Sequence, residues 1–157
     1  MKRSIRMQVN GEWRRVDVEP MDLLSEVLRE KLGVKSPKVG CDRGDCGSCT
    51  VLLDGKSVRS CLILAVECDG MSVETVEGLG KNGLTELQEA FVEHNSFQCG
   101  YCAPGIVITA TELLQNNPTP TTDEVKESLT GNLCRCTGYQ SIIDAIEAVA
   151  KKNKGDE

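Results

Sequence analysis

The sequence predicts an α+β chain made of two small domains, residues 1–77 and 78–157. Three observations carry this. Hairpin signals fill the first half, whereas helical periodicity fills the second. Gly78, Gly80 and Gly83 mark a hinge between them. Eight of the nine cysteines form two quartets of different spacing, one in each half. Halves of this size are marginal for a core and often need a metal or a partner to complete one. With 3% aromatic residues the cores must be aliphatic, filled out by bound cofactors.

The first half opens with Ser4–Val9 in strand-like alternation, then Asn10-Gly11, then alternation again from Glu12 to Val18. Asn-Gly between alternating runs is the strongest short hairpin signal. Pro20 ends the second run. Leu23, Leu24, Val27, Leu28 and Leu32 recur at helical spacing, and Gly33 is placed to end that helix in the left-handed conformation. Lys38–Cys49 is a loop with Gly40, Gly44 and Gly47 among three cysteines. Thr50–Leu53 and Lys56–Ser60, joined at Asp54-Gly55, predict a second hairpin, and Ser72–Val76 a last strand. Two hairpins and one helix make a compact sheet with the helix across one face.

Beyond the hinge, Thr85-Glu86-Leu87-Gln88 is a capping box opening a helix to about residue 95. Pro104 suits the first turn of a second helix, to about residue 115. Thr121-Thr122-Asp123-Glu124 opens a third, short helix ending near Gly131. Ile142, Ile143, Ile146, Val149 and Ala150 predict a fourth, with lysines at its end where the helix dipole favours them. The two quartets differ in spacing and surroundings, so they are not an internal repeat.

Charge and composition exclude several classes. The net charge of −6 and the lack of a basic stripe argue against nucleic-acid binding. No apolar run approaches the 18 or so residues of a membrane span. No export signal is legible: Arg14-Arg15 is followed by charged, strand-like sequence rather than an apolar run. The expected location is the cytoplasm, where reducing conditions keep thiols free for metal. With His94 as the single histidine, no Ser/His/Asp or Cys/His catalytic set is available. Glycine-rich nucleotide motifs are absent too.

The chemistry therefore rests on the cysteines. Cys41, Cys46, Cys49 and Cys61 read C-x4-C-x2-C-x11-C, the plant-type ligand spacing of a [2Fe–2S] cluster. A loop must wrap such a cluster closely with its backbone N–H groups toward the sulfides. Gly40, Gly44 and Gly47 permit that approach. Cys99, Cys102, Cys134 and Cys136 read C-x2-C-x31-C-x-C, with both pairs at predicted helix junctions. This spacing is less diagnostic. A [2Fe–2S] cluster, a structural zinc and, for the C-x-x-C pair, a redox dithiol are all compatible with it. A Rieske centre needs two histidines, and a [4Fe–4S] run would need C-x2-C-x2-C. Cys68, in a short apolar segment, reads as a small buried hydrophobe, and His94 as a surface or capping residue.

Taken together, Gly40–Val51, Gln98–Gly105 and Gly131–Tyr139 resemble three motifs of the small iron–sulfur subunit of molybdenum hydroxylases. This is the superfamily of xanthine dehydrogenase, aldehyde oxidase, carbon monoxide dehydrogenase, nicotinate dehydrogenase and 4-hydroxybenzoyl-CoA reductase. The resemblance spans about residues 5 to 149. It implies a β-grasp, plant-type ferredoxin-like domain followed by a four-helix [2Fe–2S] domain, with the second quartet holding the second cluster. It also implies partners: a large subunit with molybdopterin and a medium subunit with FAD, arranged as a dimer of heterotrimers. Electrons would run from molybdopterin to the helical-domain cluster, then to the N-terminal cluster, then to FAD. Gln98 and Cys136 match residues that approach the pterin in the family. Ser48 departs from the alanine of many relatives.

The leading expectation is thus an electron-transfer subunit of a multi-subunit molybdenum-dependent oxidoreductase, with no substrate chemistry of its own. A free-standing two-cluster ferredoxin is the alternative, and a module with structural zinc in the second site is a third reading. Neither the substrate nor the final acceptor is legible in the chain.

Overall fold

The computed structural model describes residues 1–155. Strands β1 (Arg3–Val9) and β2 (Glu12–Val18) pair antiparallel, Ile5 opposite Val16 and Val9 opposite Glu12. The turn between them puts Asn10 and Gly11 at φ 51° and 84°, the pair of positive values a two-residue hairpin loop of matching twist requires. Strands β3 (Thr50–Leu53) and β4 (Lys56–Arg59) form the second hairpin, turning at Asp54 and Gly55. Strand β5 (Ser72–Glu74) joins the hairpins, parallel to β1 and antiparallel to β3. The mixed sheet has the order β2-β1-β5-β3-β4.

One face of this sheet is covered by a short α-helix, α1 (Leu24–Glu26), which continues as a π-helical segment, Val27–Lys31. The single regular helix read from the leucine spacing is therefore correct in place but not in kind. The Leu32 amide reaches back to the Val27 carbonyl (3.0 Å) and the Val34 amide to that of Leu28 (2.8 Å). Arg29 ties the following loop to this turn by donating to the carbonyls of Lys35 (2.7 Å) and Pro37 (2.8 Å). Leu24, Val27 and Leu28 are fully buried against Ile5, Met7, Val18, Val51 and Val73. Cys68 belongs to the same core with no exposed surface, as its apolar setting suggested.

The last strand stops at Glu74 rather than Val76. Thr75, held by the Asn10 side chain, precedes a short helix α2 (Val76–Leu79). Gly78 therefore lies inside a helical turn, and only Gly80 and Gly83 follow it as linker. Four longer helices come next: α3 (Glu86–Glu93), α4 (Ala103–Asn116), α5 (Thr122–Ser128) and α6 (Gln140–Gly155). The caps at Thr85 and Thr121 form as read. Each threonine hydroxyl accepts from the amide three residues on, while Gln88 and Glu124 reach back to the threonine amides. Pro104 occupies the first turn of α4. A second core of Leu87, Phe91, Ile106, Val125, Ile142 and Ile146 lies among these helices, and Val76 and Leu79 pack against it. Among the described residues no helix is long and apolar enough to cross a membrane.

Candidate metal centres

Cys41, Cys46 and Cys49 lie on the loop that leads into β3, and Cys61 lies in the 3₁₀ turn Ser60–Leu62 that follows β4. The loop folds back sharply, with Asp42, Gly44 and Gly47 at φ 56°, 87° and 75°. Its amides turn inward as a result. Those of Arg43 and Cys46, with that of Asp45, point at Cys41 and pull its thiol down to about 7; the Cys46 N–H to Cys41 Sγ distance is 3.3 Å. Cys49 and Cys61 are buried side by side. Burial first, then the Cys49 thiol, pushes Cys61 up to about 11, while the Gly44 amide acts the other way.

Cys102 stands at the start of α4 with Cys99 just before it. Cys134 and Cys136 lie between α5 and α6. The Sγ atoms of Cys99 and Cys136 are 3.6 Å apart, and both residues are exposed. Cys102 is buried; that burial, reinforced by the neighbouring Cys134 thiol, pushes it up to about 12. At Cys134 burial alone would raise the thiol, but the Thr137 hydroxyl (3.1 Å) and nearby amides outweigh it and hold it below its ordinary value. Tyr139 braces this loop, accepting from the Cys134 amide (2.8 Å) and donating to the Asn132 carbonyl (2.9 Å).

Each quartet thus comes together as two thiol pairs: Cys41 with Cys46 and Cys49 with Cys61; Cys99 with Cys136 and Cys102 with Cys134. Among the described residues, no three Cys, His, Asp or Glu side chains converge on a point where one ion would sit. A tetrahedral zinc takes all four ligands at one point. Two thiol pairs with amides turned toward them fit a binuclear cluster with two thiolates per iron. His94 is the exposed C-cap residue of α3.

The three loop glycines do different things. At Gly40 an added Cβ would lie 3.0 Å from Cys46 Sγ and 3.6 Å from Ser48 Oγ, a tight approach to the thiol. At Gly44 it would meet Leu62 at 2.5 Å. At Gly47 it would meet Asn132 of the helical half. Only the first of the three borders a thiol.

That last contact belongs to a seam which the sequence reading missed. The Leu133 amide donates to the Cys46 carbonyl (2.8 Å), so a ligand of the first quartet and the neighbour of Cys134 share one backbone hydrogen bond. Arg59 spans from Thr50 Oγ1 (2.8 Å) to the Gly131 carbonyl (2.6 Å). Tyr101 donates its hydroxyl to the Val39 carbonyl (2.8 Å), and Lys38 Nζ stands 5.3 Å from its ring centre. None of these residues shows a periodic signal. Only their nearness to cysteines in sequence could have drawn attention to them. Gln98 and Cys136, by contrast, lie together. The Gln98 amide donates to the Cys136 carbonyl at 3.3 Å on the exposed side.

Comparisons with known proteins agree with this geometry. Residues 7–75 match the family described as 2Fe-2S iron-sulfur cluster binding domain, and residues 75–147 match the [2Fe-2S] binding domain. The nicotine 6-hydroxylase small subunit of Paenarthrobacter nicotinovorans is 51% identical, over 91% of this chain and 87% of its own. The nicotinate dehydrogenase small FeS subunit of Eubacterium barkeri is 42% identical, over 96% and 97%. Among solved structures, quinoline 2-oxidoreductase from Pseudomonas putida 86 superposes with a TM-score of 0.93 at 48% identity, covering 99% of this chain and 98% of that one. The aldehyde oxidoreductase from Desulfovibrio gigas superposes with a TM-score of 0.91 at 40% identity, covering 98% of this chain and 17% of that one, so there the same unit is a small part of a longer chain. Plant-type loop, paired thiols, helical second half and relatives converge on one conclusion: the chain belongs to the molybdenum hydroxylase family as its small, electron-transferring subunit with two [2Fe–2S] clusters.

Proposed function

We propose that Cys41, Cys46, Cys49 and Cys61 hold one cluster and Cys99, Cys102, Cys134 and Cys136 the other, each cluster supplying a one-electron site when bound. The observation that carries this is the two-plus-two grouping of thiols in each half. The protein's own part is to hold the two sites in fixed register through the Cys46–Leu133 hydrogen bond, to keep water from Cys49 and Cys61, and to aim loop amides at the ligands. The halves meet near residue 77, with β5 on one side and the four longer helices on the other.

The exposed rim of Cys99, Cys136 and Gln98 marks the side that meets a large, molybdopterin-bearing subunit; Gln98 and Cys136 are the residues that would approach the pterin. The N-terminal site then serves a medium, FAD-bearing subunit, within a dimer of heterotrimers in the cytoplasm. The relatives are subunits of larger enzymes and give the free-standing ferredoxin no support. The test is EPR of the dithionite-reduced complex with Cys→Ser variants. Cys46→Ser should abolish or shift one of two signals and Cys134→Ser the other, with about four irons per wild-type chain. One signal in the wild type, or both variants acting on the same signal, would refute the assignment.

A further inference from the structure

We propose that Asn132 is the positioning residue that sets the geometry between the two clusters. The inference rests on the ligand assignment above. Asn132 is 1% exposed. Every polar group it carries is used. Its Nδ2 donates to the Gly47 carbonyl (3.2 Å), one residue from Cys46. Its Oδ1 accepts from the hydroxyl of buried Thr109 on α4 (2.9 Å). The backbone amide is taken by Leu129 (2.9 Å) and the carbonyl by the Tyr139 hydroxyl. One side chain therefore ties the first cysteine loop to the helix that begins at Cys102, while its own backbone leads through Leu133 to Cys134.

The packing around it leaves no slack. A Cβ on Gly47 would collide with Gly131 and Asn132, one on Gly105 with the Gly47 carbonyl, and one on Gly131 with Arg59. Three backbones meet at bare glycines, and the Asn132 amide hydrogen-bonds among them, beside Arg59 on the Gly131 carbonyl. An aliphatic residue would bury the Thr109 hydroxyl without its acceptor and leave the Gly47 carbonyl to the Thr50 amide and hydroxyl of its own loop, so this side chain would no longer hold the loops from parting. Parting the loops moves Cys46 relative to Cys134. A residue that served stability alone would change melting without changing how the two sites sense one another.

The experiment uses the intact complex with Asn132→Ala, and with Thr109→Val as a milder change that keeps shape while deleting the donor to Oδ1. Thr109→Ser, which restores the hydroxyl, is the rescue. Two readouts apply: magnetic coupling between the two reduced clusters by EPR, and hydrogen exchange at the Leu133 amide. The expected result is altered coupling in Asn132→Ala and Thr109→Val and faster exchange by roughly two- to tenfold, the factor one net hydrogen bond supplies, with wild-type behaviour in Thr109→Ser. Two fully loaded clusters with unchanged coupling in Asn132→Ala and Thr109→Val would overturn the proposal. If Asn132→Ala fails to assemble, Thr109→Val decides alone. A wild-type complex with one cluster would instead overturn the underlying assignment.

Discussion

Replacing Gly47 by alanine tests whether the two halves are held at the cysteine loops. Gly47 sits at φ 75°, where a side chain costs about 1–2 kcal/mol. The added methyl would also stand 2.7 Å from Asn132 Nδ2 and 3.0 Å from Asn132 Cα, and closer to the Gly131 carbonyl. Backbone cannot swing away as a flexible side chain would, so overpacking adds about 1–3 kcal/mol. Gly55 supplies the control: its φ is 81°, and an added methyl meets nothing within 4 Å. Gly55→Ala should therefore cost only the conformational part. At about 2–4 °C per kcal/mol for a chain of this length, Gly47→Ala should melt roughly 2–12 °C below Gly55→Ala. Differential scanning calorimetry of the cluster-loaded small subunit, with iron content checked in each variant, makes the comparison. Equal melting temperatures would show that the seam yields freely, and the reasoning from close approach would fail.

Other outcomes follow from neighbouring features. Ser48→Ala removes a buried hydroxyl close to the Gly40–Cys46 contact; a hydroxyl donating to cluster sulfur raises its potential, so the variant should lower the midpoint of the N-terminal cluster alone, read by potentiometric EPR, and an unchanged midpoint discards the idea. Burial raises the Cys68 thiol to about 11. Its contribution to stability is present below the ordinary thiol value and is lost as pH climbs through about 11, so Cys68→Ala should flatten the alkaline end of a stability–pH curve, and native Cys68 should resist alkylation at pH 8. Thr85→Ala deletes the α3 cap and should cost about 0.5–2 kcal/mol without touching either EPR signal. In the small subunit separated from its partners, chelation should strip the helical-half cluster first, since Cys99 and Cys136 are exposed in the lone chain while Cys49 and Cys61 are buried; loss of the N-terminal signal first would contradict this.

Much of the fold was legible because it is coded locally. Asn10-Gly11, Asp54-Gly55, the Thr85 and Thr121 boxes and Pro104 each act within a few residues, and each appears where its chemistry demands. The π-helical turn after Glu26 was not legible: the leucine spacing suits an α-helix equally, and Arg29 meets carbonyls six and eight residues ahead, beyond the reach of a local pattern. Val76 alternates like a strand residue but turns into α2, since its apolar partners lie in the helical core rather than under the sheet. The cysteine spacing pointed to both sites. The seam between them joins Gly47 to Asn132 and Arg59 to Gly131 across long stretches of chain, and no local pattern announces such pairs.

The hydrogen bond from Leu133 to Cys46 bears on how interchangeable the two modules are. Each half has its own apolar core and looks transplantable. Yet each lends backbone to the other's ligand loop, so a chimera taking its first half from an unrelated ferredoxin would inherit a loop with nothing to receive the Leu133 N–H, Asn132 or Arg59. Such hybrids should retain colour from each parent cofactor while losing communication between them, unless the Gly47 bend and its helical counterpart are moved as a single cassette.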